Sequence, residues 1–289
     1  CYLAKRLPDA IAVYRGWLAG NPQDRAVRVE LARLLSETND LAAAEAEYDR
    51  LLADGGTDTD RRALRRARAD VRAWRGELGP AIAEYRALVA ADRGDAGALL
   101  GLGLALQWNG QLVEAEAALR AAVAADPQNV EVTKALSALT ASPAYRALQA
   151  DAERRAHPDD AARWIDAADA LTADAQLSVA ETLLTTARQR WPEDARFTSR
   201  LANLQAARKV RDAEHVAALR ATLAANPDDE GARPALAAAL VEQGDLDGAI
   251  ELYLAQLERR PDDAAARRQL ARTLSWAGRL RPALKLYDA

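Results

Sequence analysis

Tryptophan is the residue type of this chain whose spacing most favours a recognition surface. Trp74, Trp108 and Trp276 each stand two residues before a glycine, in the patterns Trp-Arg-Gly, Trp-Asn-Gly and Trp-Ala-Gly. An exposed indole ring can stack on a peptide side chain or on the face of a sugar. The three positions are therefore predicted to contact a partner. A second interpretation stays open, in which each ring packs on an adjacent helix and seals the junction between the two.

Polar side chains accompany two of these tryptophans. Gln107 directly precedes Trp108. Arg268, Arg272 and Trp276 are spaced by four residues, which puts them on one face of a helix. A guanidinium group beside a ring can hold a carboxylate or a hydroxyl group while the ring takes an apolar side chain or a sugar. All five residues are predicted to belong to the binding surface.

A run of arginines forms a second candidate surface. Its members follow one another at alternating spacings of four and three residues, and they are Arg61, Arg65, Arg68, Arg72 and Arg75. Such spacing puts them on one face of a helix. In one interpretation Arg65, Arg68 and Arg72 receive an acidic strand of a partner. In the other, which is the commoner arrangement, neighbouring carboxylates balance a solvated face.

The residue patterns of a catalytic or metal site are missing from the sequence. The two histidines, His157 and His215, lie far apart, and neither has a second histidine or a cysteine at helical spacing. The one cysteine, Cys1, excludes an internal disulfide framework. No glycine-rich phosphate loop and no nucleophile elbow occurs. We expect no catalytic residue, no metal and no cofactor, and hence a protein that is not an enzyme.

The elements that position these side chains follow a repeat of about 34 residues. Its marker is a proline with an acidic or amide residue after it, at Pro22, Pro127, Pro158, Pro192, Pro227 and Pro261. The long first gap equals three repeats, with Gly56 and Arg93 at the places of the missing prolines. This length is typical of a helix-turn-helix unit that cannot bury its apolar face alone.

Two helices are predicted inside each repeat. Between Ala96 and Asn129, Leu102 lies on the inward face of a first helix, which Gly110 ends. A second helix follows, with Ala115 and Leu119 facing inward. The composition agrees, because 50% of the residues are hydrophobic but only 5% are aromatic, and a core of small side chains requires closely packed helices. The predicted fold class is all-α.

Net charge and hydropathy exclude two classes of partner. The chain has 39 basic and 43 acidic residues and a net charge of -4, which does not favour general binding of nucleic acid. The longest charge-free stretch, Ala96 to Val113, contains glycines and amides and makes a poor bilayer span. We expect neither a nucleic-acid partner nor a direct membrane span.

The repeated residues resemble the tetratricopeptide repeat family. The pattern is carried by Leu102-Gly103, Gly110, Ala115, Leu119 and Pro127, and again by Leu236-Ala237, Gly244, Ala249, Tyr253 and Pro261. The resemblance covers essentially the whole chain. It implies a right-handed superhelical solenoid of antiparallel helix pairs, with about eight repeats if partial ends are counted. It also implies a concave groove lined mainly by the first helix of each repeat.

Three segments are predicted from the repeat lengths. Residues 1-129 are an N-terminal array with a partial first repeat, and residues 161-289 are a C-terminal array whose last repeat is truncated. Residues 130-160 are a shortened and distorted repeat with a bend, because Ser142-Pro143 interrupts it where a turn between helices is expected. Every other proline-bounded segment, including the one from Pro192 to Pro227, is expected to form a helix pair.

The resemblance favours a non-catalytic protein-interaction scaffold, which binds an extended segment or a neighbouring subunit of a larger assembly in its groove. The alternative is a scaffold of bacterial exopolysaccharide export, because the alanine- and arginine-rich repeats are similar in style to periplasmic arrays that contact polysaccharide or secretion subunits. The bacterial periplasm or cell envelope is the favoured location, and the cytoplasm is the alternative. A catalytic domain outside these residues is a third hypothesis.

Overall fold

The chain is all-α. The structure is a computed structural model that describes residues 7–287, so Cys1 lies outside the described residues. Within the described part there are sixteen helices and no strand, which confirms the predicted fold class. The helices are α1 Leu7–Gly20, α2 Arg25–Glu37, α3 Leu41–Ala53, α4 Asp58–Trp74, α5 Leu78–Ala91, α6 Ala96–Trp108, α7 Leu112–Ala125, α8 Val130–Ala141, α9 Pro143–Ala156, α10 Ala161–Ala173, α11 Leu177–Arg190, α12 Ala195–Ala225, α13 Ala232–Gln243, α14 Leu246–Arg259, α15 Ala264–Trp276 and α16 Leu280–Tyr287.

Two compact units make up the chain, Cys1–Gln149 and Ala150–Ala289. The division falls inside α9, which follows α8 after the single residue Ser142. It therefore lies within the segment 130-160 that the sequence singles out as a distorted repeat. The three-segment organisation itself stays a prediction.

Most helices are joined in pairs by a tight turn in which one residue has a left-handed backbone. These turn residues are Asn39, Gly76, Gly110, Ala175, Gly244 and Gly278, with φ between 59° and 82°. At Gly110 the backbone N–H groups of Gly110 and Gln111 donate to the carbonyls of Gln107 and Leu106, which closes the end of α6. The turn reverses the chain, and the second helix packs back on the first.

Small residues let the two helices of a pair approach closely. The alanines at this contact have no exposed surface, and they are Ala44, Ala81, Ala115, Ala180 and Ala249. At Gly103 even a Cβ atom would lie 2.6 Å from Cγ of Leu119, so this contact needs glycine. The predicted role of small residues at Gly103 and Ala115 is thus seen in the packing.

Each unit has its own apolar core. In the first unit Tyr85, Leu106, Leu119 and Leu139 are buried in one cluster of side chains. In the second unit one cluster includes Leu236, Tyr253 and Leu270 from α13, α14 and α15. No helix among the described residues is long and apolar enough to cross a membrane.

Aromatic rings fill a second region of the Ala150–Ala289 unit. Trp164 of α10 is 8% exposed, and the ring of Trp191 meets it edge-on at 5.7 Å between centroids. Phe197 of α12 stacks on the other side of Trp191, also at 5.7 Å. These rings join α10, α11 and the beginning of α12.

The segment between Pro192 and Pro227 corrects the prediction of a helix pair. It forms one continuous helix, α12, of 31 residues. Phe197, Leu201 and Leu204 are buried near its beginning, and Val216 is buried nearer its end. The stretch from 205 to 215 between them is exposed, apart from the half-buried Asp212.

Two residues explain why α12 does not turn. Lys209 stands where the neighbouring pairs have the left-handed residues Ala175 and Gly244, and a left-handed backbone is unfavourable for a long side chain. Five residues later, where the other pairs have a buried alanine, the chain has Glu214. This charged side chain could not enter a close helix contact, so continuing the helix is the favourable outcome.

Candidate binding site on the first helices

The three predicted tryptophans occupy one repeated structural position. Trp74, Trp108 and Trp276 are the last residues of α4, α6 and α15, each two residues before a left-handed glycine. Their exposed fractions are 54%, 51% and 53%. Helix α4 has 17 residues, whereas α6 and α15 have 13 each. The additional residues lie at the beginning of α4, so its end has the same position relative to the turn glycine as the ends of α6 and α15. About half of the surface of each tryptophan residue is therefore available to a partner.

A cavity beside Trp276 lies between α13, α14 and α15. Its volume is about 530 Å³, and its lining includes Val241, Tyr253, Gln269, Arg272 and Trp276. The guanidinium carbon of Arg272 lies 4.5 Å from the centroid of the Trp276 ring, which is a cation–π contact. The predicted pair of Arg272 and Trp276 thus lies in one groove.

Polar groups in and beside this groove have unused binding capacity. Within the described residues, neither Arg272 nor the exposed Arg268 forms an ion pair, and Arg268 does not line the cavity. The Gln256 side chain donates from Nε2 to Asp263 at 2.7 Å, while its buried Oε1 has no hydrogen-bond partner. The groove combines an aromatic ring, a cation and amides.

An equivalent cavity lies between α2, α3 and α4 in the first unit. Its volume is about 210 Å³, and its lining includes Arg33, Glu37, Tyr48, Asp70 and Trp74. Counted from the turn glycines, Trp74 corresponds to Trp276, and Asp70 corresponds to Arg272. The two grooves therefore carry opposite charges at one repeat position.

Asp70 of α4 forms a polar contact with α5. The Tyr85 hydroxyl donates a hydrogen bond to its carboxylate. Burial raises the pKa of Asp70 above its ordinary value, although this hydrogen bond and the charge of Arg66 act in the opposite direction. Gly101 makes room for the Tyr85 ring, since a Cβ atom there would lie 2.4 Å from Cε1 of the ring.

The first helix around Trp108 offers an uncharged surface. Leu100, Gly101, Leu104 and Gln107 are half-buried along one side of α6, and Trp108 is exposed at its end. Gln107 and Trp108 are thus neighbours on the first helix, as the sequence predicts. This part of the first unit suits apolar contacts.

The arginine run on α4 is occupied by ion pairs within the first unit. Arg65 contacts Glu84 at 2.8 Å, and Arg68 contacts the same carboxylate at 2.7 Å. Arg72 pairs with Glu45 of α3 at 2.6 Å and with Glu84 of α5 at 3.2 Å. The structure therefore puts these arginines between the second helices α3 and α5. They hold the repeats together and do not line either cavity, which leaves the hypothesis of an acidic partner strand without support.

Sequence reasoning did not identify Tyr48 or Tyr253 as members of the grooves. The two tyrosines could have been found, because each follows its turn residue by nine positions, as Tyr85 does. The burial of Asp70 gave no signal in the sequence, since it depends on the neighbouring helices. Among the described residues no group of three or more His, Cys, Asp or Glu side chains could hold a metal ion.

Comparison with known proteins identifies the repeats. Three family models described as tetratricopeptide repeat match residues 2–68, 66–130 and 209–287. A comparison with curated proteins finds no match.

Solved structures with similar helix arrangements come from several organisms. A tetratricopeptide repeat protein from Parabacteroides merdae is 12% identical, with 87% of this chain and 99% of that chain covered and a TM-score of 0.43. MamA from Desulfovibrio magneticus RS-1 is 19% identical, with coverages of 63% and 89% and a TM-score of 0.42. The TPR2AB domain of yeast Sti1, solved as a complex with pHSP90, is 17% identical, with coverages of 91% and 97% and a TM-score of 0.40.

Proposed function

Because the chain belongs to the tetratricopeptide repeat family, we propose that it is a non-catalytic scaffold whose first helices hold an extended segment of a partner protein. The groove between α13, α14 and α15 is the main contact surface of the second unit. The tryptophans at the ends of α4 and α6 serve the same purpose in the first unit.

One observation carries this proposal, the contact of Arg272 with Trp276 inside the 530 Å³ cavity. An indole ring that is 53% exposed at the edge of a cavity can cover an apolar side chain of a partner. The stacked guanidinium is held in position and keeps its N–H donors for a carbonyl or carboxylate. Aromatic residues and arginine are the residue types that contribute most to protein interfaces.

An extended segment suits the groove better than a globular surface. The lining side chains come from the two first helices α13 and α15 and from Tyr253 and Gln256 of α14 between them, so the cavity is concave. A chain in extended conformation can insert alternate side chains into such a surface while its backbone meets the polar groups at the rim. The exposed amide of Gln269 is a suitable partner for that backbone.

The experiment is a selection of nonapeptides from a random phage-displayed library, followed by affinity measurements on the selected peptides. Trp276→Ala is expected to weaken their binding by about 1–4 kcal/mol, because it removes the aromatic anchor. The matched control is Leu254→Ala, a large apolar residue of α14 in the same unit that is 47% exposed and does not line the cavity. The affinities are measured by fluorescence anisotropy. The thermal unfolding of both variants is measured beside them.

The outcome distinguishes a binding residue from a packing residue. Loss of affinity in Trp276→Ala with unchanged unfolding supports the proposal. A loss of several kcal/mol of stability with unchanged affinity means that the ring seals a helix junction, and the groove then has another role. The corresponding pair in the first unit is Trp108→Ala with the control Val113→Ala, since Val113 is 60% exposed on α7.

The same assay tests the alternative hypothesis, in which the protein is an envelope scaffold that contacts polysaccharide. Acidic and neutral exopolysaccharides replace the peptides, with the same tryptophan variants. Binding of a polysaccharide that depends on Trp276, without selected peptides, would favour that alternative.

A further inference from the structure

We infer that the cavity between α2, α3 and α4 receives a lysine or arginine side chain of the extended partner, with the cation over the Trp74 ring and paired with the Asp70 carboxylate. This inference rests on the proposed function and names the chemistry that one of its grooves recognises. The side chains that carry it are Trp74, Asp70, Tyr48, Arg33 and Glu37.

The size of the cavity suits one side chain. Its volume is about 210 Å³. Pockets for small organic ligands are typically about 300–1,000 Å³, so this cavity is smaller than such a pocket. Two aromatic residues, Tyr48 and Trp74, line it together with the apolar Ala67. The methylene groups of a lysine or arginine can lie along these apolar surfaces, with the charged end placed against the polar groups.

The charges of the cavity favour a cation. Its lining has one basic side chain, Arg33, and two acidic ones, Glu37 and Asp70. The Arg33 guanidinium is already bound, because it contacts Glu30 at 2.9 Å and Glu37 at 2.5 Å. Its charge is therefore compensated within α2.

Asp70 is the acidic group whose charge is not compensated by an ion pair. Among the described residues it forms none, and its one side-chain partner is the neutral Tyr85 hydroxyl. Arg66, one turn earlier on α4, contacts Asp95 at 3.5 Å instead. A cation from a partner would supply the charge that this carboxylate lacks.

The equivalent groove of the second unit has a cation of its own beside its tryptophan. There Arg272 precedes Trp276 by four residues, and its guanidinium lies over the ring at 4.5 Å. In the first unit Asp70 precedes Trp74 by four residues, and within the described chain no cation lies over that ring. The replacement of arginine by aspartate thus leaves one face of a half-exposed indole without a cation and adds a carboxylate beside it. Both changes favour a cation from outside.

The test uses a nonapeptide library with one fixed position that carries Lys, Arg, Gln, norleucine or Glu. The first unit of the full-length protein is expected to prefer Lys and Arg over Gln by about tenfold, as cation–π and ion-pair contacts permit. Asp70→Asn keeps an acceptor for the Tyr85 hydroxyl and should abolish this preference, whereas Asp70→Glu should retain it. Asp70→Arg reproduces the pair of the second unit and should reverse the preference toward Glu. Val113→Ala is the neutral control, and circular dichroism verifies the fold of every variant.

Each result supports or overturns the inference. An equal preference for Lys in the wild type and in Asp70→Asn overturns it, and so does a wild type without any preference for cations. If peptides bind through Trp108 or Trp276 with no cationic preference, the inference fails while the proposed function stands. If no peptide binds at all, both fail.

Discussion

At the scale of single residues, the contact between Tyr85 and Asp70 links the core of the first unit to its groove. Tyr85 is buried against α4 and α6, and its hydroxyl donates to the Asp70 carboxylate at the groove surface. Burial raises the pKa of this carboxyl group and also raises the pKa of the Tyr85 hydroxyl. The charged form of Asp70 is therefore less favourable in the folded protein than in the unfolded chain.

This raised pKa has a consequence for the pH dependence of stability. The folded state retains the Asp70 proton to a higher pH than the unfolded state, so the free energy of unfolding falls as the pH rises through that interval. Asp70→Asn removes the titration and is expected to raise the free energy of unfolding at pH 7. The gain should disappear below about pH 4, where the carboxyl group is protonated in both states. Urea unfolding at several pH values measures it.

A matched control uses an exposed carboxylate. Asp262→Asn alters an exposed side chain in the turn before α15 and should change stability little at any pH. If the difference between wild type and Asp70→Asn is the same at pH 4 and pH 7, burial is not the cause of the effect.

The sequence identified the tryptophans of the site but only part of their surroundings. Trp74, Trp108 and Trp276 could be found because a glycine follows each at a fixed distance, and this distance fixes the end of a helix. The burial of Asp70 could not be predicted, because a carboxylate on a helix is ordinarily solvated and its burial depends on packing against neighbouring helices. The roles of Arg65 and Arg68 were also open from the sequence, since their acidic partners belong to other helices.

At the scale of the elements, α12 departs from the repeat. Helix pairs form where a left-handed turn residue and a buried alanine follow one another, and both requirements are readable from the sequence. The proline spacing alone predicts a turn within α12, but Lys209 and Glu214 violate these requirements. The spacing of the prolines predicts the length of a repeat. Whether a turn forms between its two helices depends on other residues, which the proline spacing does not specify.

A proline substitution tests the continuity of α12. Arg211 stands where, in the other pairs, the first residue of the second helix is found, and proline is favourable at such a position. In a continuous helix the same proline removes a hydrogen bond and clashes with the preceding turn. Arg211→Pro is therefore expected to lower the free energy of unfolding by about 3 kcal/mol. Chemical unfolding followed by circular dichroism gives the value.

Leu280→Pro is the control, because Leu280 is the exposed first residue of α16. Its effect should be small. Equal tolerance of both prolines would indicate that α12 bends near Lys209 in solution.

At the scale of the molecule, extensive helix contacts within residues 7–287 join only neighbours and next neighbours in the sequence, such as α6 with α7 and α4 with α6. Stability is then a sum of local terms, because a helix does not contact distant parts of the chain. Leu240→Ala in α13, where Leu240 is 3% exposed, should lower the local free energy of unfolding by about 2–5 kcal/mol. Hydrogen exchange read by mass spectrometry should show faster exchange in α13 and α14 and unchanged exchange in α2 to α7. Uniformly faster exchange in both units would contradict this local coupling.

The exposed middle of α12 also bears on how such a chain can change its length during evolution. Few side chains of the stretch from 205 to 215 contact another helix, so one inserted or deleted residue would disturb little packing. Each insertion would nevertheless advance everything after it by about 1.5 Å and turn it by about 100° around the helix axis. A single insertion would point the groove of α13 to α15 in another direction, while seven inserted residues would bring it back to within about 20°. The number of residues in this stretch therefore sets the direction in which a downstream groove faces, independently of the residues that line it.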